Sequence, residues 1–426
     1  MIDLRCGSNL DLLPTLPDCS VDACVTDPPY ELGFMGKKWD ASGIAYNVDL
    51  WREVLRVLKP GGHLVAFGGT RTYHRMACAI EDAGFEIRDC LAWMYGSGFP
   101  KSLDVSKAID KAAGEQGERG PLKRGGERLA RLQDGKRDGN GTWGDESGRD
   151  PFTYLPTSDA AKQWQGWGTA LKPAYEPAVL ARKPLTGTVA GNVLEWGTGA
   201  INVDGCRIET SDFLGGGTYG GSFSGSRAAD GSLLKAIGSG DKGRWPANVL
   251  HDGSDEVLAG FPDDADGSAA RFFYTAKAST WEREIGLDDM PRRSSGELVD
   301  RDDGSAGTQS PRAGAGRASQ GRANVHPTVK PLDLMRWLVR LVTPPGGVVL
   351  DPFTGSGSTG MAAMLEGFGF VGFELDPLHV EIATRRIEAA RSRRVIVEGG
   401  KVKPDDTSAA QMSLFDAPAA QDDLPW

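Results

Sequence analysis

Residues 348–360, VVLDPFTGSGSTG, constrain the fold more than any other stretch of the chain. An apolar, β-branched run enters Asp351-Pro352, and Gly355, Gly357 and Gly360 then form G-x-G-x-x-G at the mouth of a helical segment. Strand, glycine turn and helix in that order are the context such a motif requires. The glycines permit a tight turn and let a ligand approach the backbone closely. Glu374 closes the following strand roughly 20 residues on, where an acid can hold both hydroxyls of a ribose. The expectation is an open α/β sheet that binds an adenosine-type cofactor at its carboxyl edge. The plain alternative is a tight turn between strand and helix with an acid at a strand end.

Two cofactors compete for such a turn. A dinucleotide needs the helix N-terminus to cradle its pyrophosphate. S-adenosylmethionine carries no phosphate, and its methionine moiety can lie over the same turn. Asp351, directly before the turn, would repel a pyrophosphate and suits the ammonium of a methionine moiety. S-adenosylmethionine is therefore the expected cofactor.

Strand and helix signals alternate on both sides of a long irregular middle. VDACVT (21–26), HLVAFGG (63–69) and FEIRDCLAWMY (85–95) read as strands. Residues 49–58 place Leu50, Val54, Leu55 and Leu58 on one helical face, with Lys59-Pro60-Gly61-Gly62 as the stop. Residues 72–84 read as a helix. This alternation predicts a parallel sheet. Residues 1–100 form one half of the main domain. Residues 101–170 are a basic insertion, opening with a short helix at SLDVSKAID. A strand-like segment, EPAVLARK, returns to the main domain within 171–184. Residues 185–325 are glycine-rich and loop-rich. Residues 326–400 form the cofactor half, and 401–426 an acidic tail without expected order.

The composition is that of a globular protein, with 39% hydrophobic and 25% charged residues. A net charge of -10 argues against a protein that coats nucleic acid non-specifically, but it leaves room for a local basic cleft. None of the six cysteines forms a C-x-x-C pair, so neither a zinc site nor a disulfide framework is expected. No apolar run reaches membrane-spanning length. A cytoplasmic location is expected.

The second informative stretch is Thr26-Asp27-Pro28-Pro29-Tyr30, directly after the apolar run VDACV. Two prolines cannot continue a central strand. An acid there sits at the carboxyl edge of the sheet, where open α/β folds bind ligands. Its carboxylate can accept a hydrogen bond from an exocyclic amine. The proline pair fixes the backbone so that a carbonyl can accept the amine's second hydrogen. Tyr30 offers a face for stacking a flipped base. An amine held by two acceptors keeps its lone pair on nitrogen, ready to attack a sulfonium methyl. The bland alternative is a proline-terminated strand with a core tyrosine.

Together these motifs resemble those of the DNA amino-methyltransferases, which modify adenine N6 or cytosine N4. The family's catalytic D/N/S-P-P-Y/F is matched by Asp27, Pro28, Pro29 and Tyr30. Its cofactor motif D-P-F-x-G-S-G-x-T is matched by Asp351, Pro352, Phe353, Gly355, Ser356, Gly357 and Thr359. The catalytic motif comes first, as in the permuted β class. There an H-P-T/E-x-K-P segment precedes the cofactor strand, matched here by His326, Pro327, Thr328, Lys330 and Pro331. By resemblance, Thr328 and Lys330 would touch the cofactor's carboxylate end. GSGFPKSLDVSKAID is similar to phage and prophage members. The resemblance covers about 1–110, 171–210 and 326–392. It departs at Cys6-Gly7-Ser8-Asn9, where many relatives carry Gly-Asp and a carboxylate would meet the cofactor's adenine edge.

The resemblance implies a Rossmann-like, S-adenosylmethionine-dependent methyltransferase fold, circularly permuted, with target-recognition insertions. It implies base flipping in double-stranded DNA and methyl transfer without a covalent enzyme intermediate. Asp27 favours adenine N6 over the alternative, cytosine N4. The insertions would read the target, with Arg119, Lys123, Arg124, Arg128 and Arg131 as candidate phosphate contacts; a solvated charged loop is the competing reading. A nicotinamide-dependent oxidoreductase would leave TDPPY unexplained, and a non-catalytic DNA-binding protein would leave both motifs idle. The sequence leaves open a homodimer and a restriction endonuclease partner.

Overall fold

The computed structural model describes residues 1–33, 38–96, 98, 102–122, 152–210, 243–264, 267–276, 279–293, 321–392 and 394–405. Two compact units emerge. The first comprises Met1–Gly96, Tyr175–Asp288 and His326–Trp426; the second comprises Ser97–Ala174 and Asp289–Val325.

The first unit is built on a nine-stranded sheet. In chain order its strands are β1 (Ile2–Cys6), β2 (Val21–Thr26), β3 (Leu58–Phe67), β4 (Glu86–Met94), β5 (Tyr175–Arg182), β6 (Val249–His251), β7 (Tyr274–Thr275), β8 (Val348–Asp351) and β9 (Gly369–Glu374). Across the sheet the order is β1-β9-β8-β2-β3-β5-β4-β6-β7. Neighbours pair in parallel except at β5, which runs antiparallel between β3 and β4. The expected all-parallel reading fails at that strand. Its run Ala178–Ala181 is buried on both faces, and such a run carries no mark of direction.

The helices on the sheet's faces are α1 (Val48–Val57), α2 (Tyr73–Asp82), α3 (Leu332–Val342), α4 (Ser358–Leu365) and α5 (Pro377–Arg391). Two apolar clusters lie on the two sides. Ala23, Val25, Val65 and Phe67 pack with α3, α4 and α5 residues, whereas Cys24, Leu64 and Ala66 pack with those of α1 and α2. The period of two along β2 and β3 sends alternate side chains to opposite layers. Being covered on both sides, β2 is buried at all its positions, which is why it reads as a continuous apolar run.

Local signals set the helix ends. Asn47 caps α1 by accepting from the Asp49 and Leu50 amides, and Leu50, Trp51, Val54 and Val57 are its buried residues. The chain passes from Val57 straight into β3, so Leu58 and Lys59-Pro60-Gly61-Gly62 belong to the strand rather than to a loop. Asn192, fully buried, donates to the Pro60 and Thr198 carbonyls and holds that entry in place.

Residues 249–251 and 274–275 add β6 and β7 to the main sheet, so much of the glycine-rich stretch clusters with the first unit. Strands of three and two residues are too short to show periodicity. Residues 401–404, expected in the tail, form a strand paired with Val395–Glu398; the rest of the tail lies outside the described residues. In the second unit, Asp110 at the end of helix Val105–Ala112 is fully buried. It accepts from Tyr154 Oη, the Thr157 and Ser158 amides and Ser158 Oγ.

Candidate active site

The strand order places the two motifs side by side. β2 and β8 are adjacent and parallel, so TDPPY and the glycine turn leave the same edge of the sheet next to each other. Here the sheet order switches direction, the place where open α/β folds form their ligand crevice. Thr26 Oγ donates to Asp351 Oδ1 at 2.7 Å, tying the two strand ends together. Both motifs line one cavity of about 730 Å³.

On the β2 side, Asp27 Oδ2 accepts from Lys330 Nζ at 2.6 Å. Lys330 also donates to Tyr30 Oη at 2.9 Å and lies 3.2 Å from Glu176 Oε2. Tyr30 Oη in turn donates to Glu176 at 2.8 Å. Burial works against the Lys330 ammonium, but the Asp27 and Glu176 carboxylates outweigh it and hold its pKa above the ordinary value. Burial, then Asp27 and Glu176, push the Tyr30 hydroxyl well up, so it stays a neutral donor. Asp27 Oδ1 is buried without a hydrogen-bond partner among the described residues. A buried acceptor left unpaired is costly, and it is what a ligand's amine would satisfy.

The chain just beyond Tyr30 is strained and pinned. Glu31 has φ 55°, a left-handed conformation rare outside glycine. Asp40 accepts from the Glu31 and Leu32 amides, and the Glu31 carboxylate accepts from Gly43 N at 2.8 Å. Strain of this kind persists where surrounding contacts over-determine the backbone. Leu32 and Ile44 from this loop line the cavity.

On the β8 side, Asp351 is almost fully buried, and burial pushes its carboxyl up to about 6 despite bonds from Thr359 and Thr26. Glu374 accepts from Gly355 N at 2.8 Å and Asp376 N at 2.9 Å. His379 and these amides outweigh the burial and hold its carboxyl below the usual value. Asn9 donates to the Pro352 carbonyl. Buried Arg386 donates to the Ser356 carbonyl and Oγ, and so fixes the glycine turn from behind. Gly355 and Gly357 have φ of 53° and 84°. A Cβ on Gly357 would meet Ala383 Cα at 2.9 Å, and one on Gly360 would meet Ile387 Cδ1 at 2.4 Å. These two glycines serve close packing of α5 as much as ligand approach.

Asp27, Pro28, Pro29, Tyr30, Thr328, Lys330, Asp351, Pro352, Phe353, Gly355, Ser356, Thr359 and Glu374 all line the cavity. Gly357 stands behind it as the cap of α4. The Lys330 ammonium sits on Asp27 and Glu176, in the same cavity as Thr328. Ser8 and Asn9, where the sequence departs from the expected Gly-Asp, line the cavity. Glu176 was not singled out in the sequence, because a lone glutamate at a strand start carries no local signal; β5 brings it in from 146 residues beyond Tyr30. Arg119 lies on strand Glu118–Leu122 of the second unit, its guanidinium 5.5 Å from the Phe152 ring centre. Lys123, Arg124, Arg128 and Arg131 lie outside the described residues.

The chain is 38% identical over 82 residues to the DNA adenine methyltransferase YhdJ of Escherichia coli K12, covering 19% of this chain and 28% of that protein. It is 40% identical over 67 residues to the type II methyltransferase M2.DpnII of Streptococcus pneumoniae, covering 16% and 25%. The matched stretches thus span about a quarter of these relatives' lengths. Among solved structures it is similar to the M1.HpyAVI–SAM complex (TM-score 0.37, 16% identity, 91% and 99% of the two chains). It is also similar to the cytosine-N4-specific PvuII DNA methyltransferase (TM-score 0.39, 14% identity, 92% of each chain). Both structural likenesses are weak, and the fold assignment rests on the strand order. The DNA methylase model of the N6/N4 methyltransferases matches residues 21–111 and 240–385, more than half of the chain. With its catalytic and cofactor motifs on adjacent strand ends of one sheet, the chain belongs to the N6/N4 DNA methylase family.

Proposed function

We propose that this protein transfers a methyl group from S-adenosylmethionine to the exocyclic N6 of adenine in double-stranded DNA, acting on a base flipped out of the helix. The observation that carries this reading is Asp27, whose buried Oδ1 lacks a partner in a cavity shared with the glycine turn. Bound there, the cofactor would supply an electrophilic methyl carbon, and its loss to nitrogen would leave a neutral thioether.

The residues present fit that cofactor. Glu374 has lone pairs to spare for ribose hydroxyls beyond the two amides it already accepts. Asp351, buried beside the turn, suits an ammonium and opposes a pyrophosphate. That favours S-adenosylmethionine over a dinucleotide.

Asp27 Oδ1 would accept one amine hydrogen and so keep the nitrogen lone pair available. Lys330 holds the other oxygen and fixes the carboxylate's orientation. Tyr30, its hydroxyl anchored to Glu176 and its carbonyl bonded by Thr72 Oγ, presents a fixed ring for the base to stack on. The amine's surplus proton leaves after transfer, so Asp27 need not act as a strong base. The basic run beginning at Arg119 is proposed to meet DNA phosphate.

Cytosine N4 chemistry would use the same geometry. Adenine is favoured by aspartate at the first motif position and by the adenine-specific name of one relative. The test is nucleoside chromatography of unmethylated DNA after incubation with methyl-labelled cofactor. Label in N6-methyladenine is expected; label in N4-methylcytosine would overturn the base assignment and spare the mechanism.

A further inference from the structure

We infer that Glu176 is a positioning residue for the methyl transfer: through Lys330 it leaves the catalytic cluster with one unbalanced negative charge. This deepens the methyl-transfer reading above and rests on it. Lys330 Nζ lies between two carboxylates, 2.6 Å from Asp27 Oδ2 and 3.2 Å from Glu176 Oε2, and its side chain is only 8% exposed. Asp27 and Glu176 are 20% and 21% exposed. One ammonium and two carboxylates sum to a net charge of minus one. Tyr30 Oη donates to Glu176 and accepts from Lys330, and Tyr95, just past β4, lies beside Glu176, its hydroxyl pushed up to about 12 by burial and that carboxylate.

The charge count matters because the reaction moves charge. As the amine nitrogen gains its bond to carbon and the carbon–sulfur bond breaks, unit positive charge passes from sulfur to nitrogen. It leaves later as a proton to solvent. A fixed negative charge within reach of the nitrogen stabilises that development, and it does so most effectively in a site shielded from water. If Lys330 paired with Asp27 alone, the pair would be neutral and its contribution to this stabilisation would be lost. Glu176 shares the ammonium, so Asp27 keeps its orientation without losing its field.

Substitutions that alter only charge test this. Glu176→Gln retains an acceptor for Tyr30 Oη but makes the cluster neutral. Its kcat is expected to fall roughly 10–100-fold, while cofactor affinity stays within about twofold of wild type. Lys330→Met leaves the two carboxylates without their shared ammonium; their repulsion would favour a proton held between them and silence Asp27. The double variant Lys330→Met/Glu176→Gln restores a single carboxylate and a net charge of minus one. It is expected to exceed Lys330→Met alone by about tenfold or more, whereas unconnected structural defects would add. Unchanged kcat in Glu176→Gln, or a double variant no faster than Lys330→Met, would overturn the inference, and the first of these outcomes requires no folded Lys330 variant. A wild-type protein that transfers no methyl group would sink the underlying reading as well, so the two failures are distinguishable.

Discussion

Asp351 shows how a single residue can cost stability and supply function. Its carboxyl, raised by burial to about 6, binds a proton more tightly in the fold than in the unfolded chain. The sign follows: its contribution favours the fold at low pH and is lost as pH rises from about 4 to about 6. Asp351→Asn should remove that slope from denaturant melts taken between pH 4 and 7. The same substitution should weaken S-adenosylmethionine binding roughly 10–100-fold, the worth of a charge-assisted hydrogen bond of about 1.5–3 kcal/mol. Wild-type affinity should itself decline as pH falls through about 6. A pH-independent affinity, or an Asn variant that binds as well as wild type, would remove Asp351 from the cofactor site. At this scale the sequence was informative wherever function lay in contiguous motifs, as with Asp27–Tyr30 and Asp351–Gly357. It failed where partners met from afar. Lys330 was legible as a motif residue, but its place on Asp27 depends on a contact 303 residues away.

At the scale of elements, the turn before α4 carries the most demanding geometry. Gly357 combines a left-handed φ of 84° with contact against the α5 backbone at Ala383. Gly357→Ala should therefore destabilise the fold by roughly 1–3 kcal/mol, since α5 must shift as well as the turn. Equilibrium denaturation checks this, and a loss under about 0.5 kcal/mol would show that the turn has slack. Long periodic elements such as α1 and α2 were legible within a residue or two. The direction of β5 was not, because direction is set by partners rather than by the strand's own sequence. The short strands β6 and β7 were invisible for a different reason. Their hydrogen bonds to β4 and to each other, not their composition, make them strands.

For the whole molecule, the N-terminal strand β1 pairs with β9 near the C-terminal end of the sheet, and the motif order along the chain is the permuted one. The sequence could show that order, since it needs only the two motifs in line. It could not show where the inserted unit is stitched together, because Asp110 gathers its donors from 44–48 residues away. Those donors hold the Asp110 carboxyl well below the usual range, outweighing its burial. Its contribution is therefore present above about pH 4 and lost as pH falls below it. Asp110→Ala should raise hydrogen exchange at 152–163 while cofactor affinity, set within the first unit, changes less than about twofold. Loss of cofactor binding in that variant would show that the units are not energetically separate. The central claim is that Asp27 polarises a target amine in DNA beside bound S-adenosylmethionine. Its most direct test compares methyl-label transfer by wild type and Asp27→Ala at matched cofactor occupancy, verified by calorimetry. Label in DNA from wild type, and none from the variant despite normal cofactor binding, is the expected result; equal transfer by both, or none by a cofactor-loaded wild type, would contradict the account.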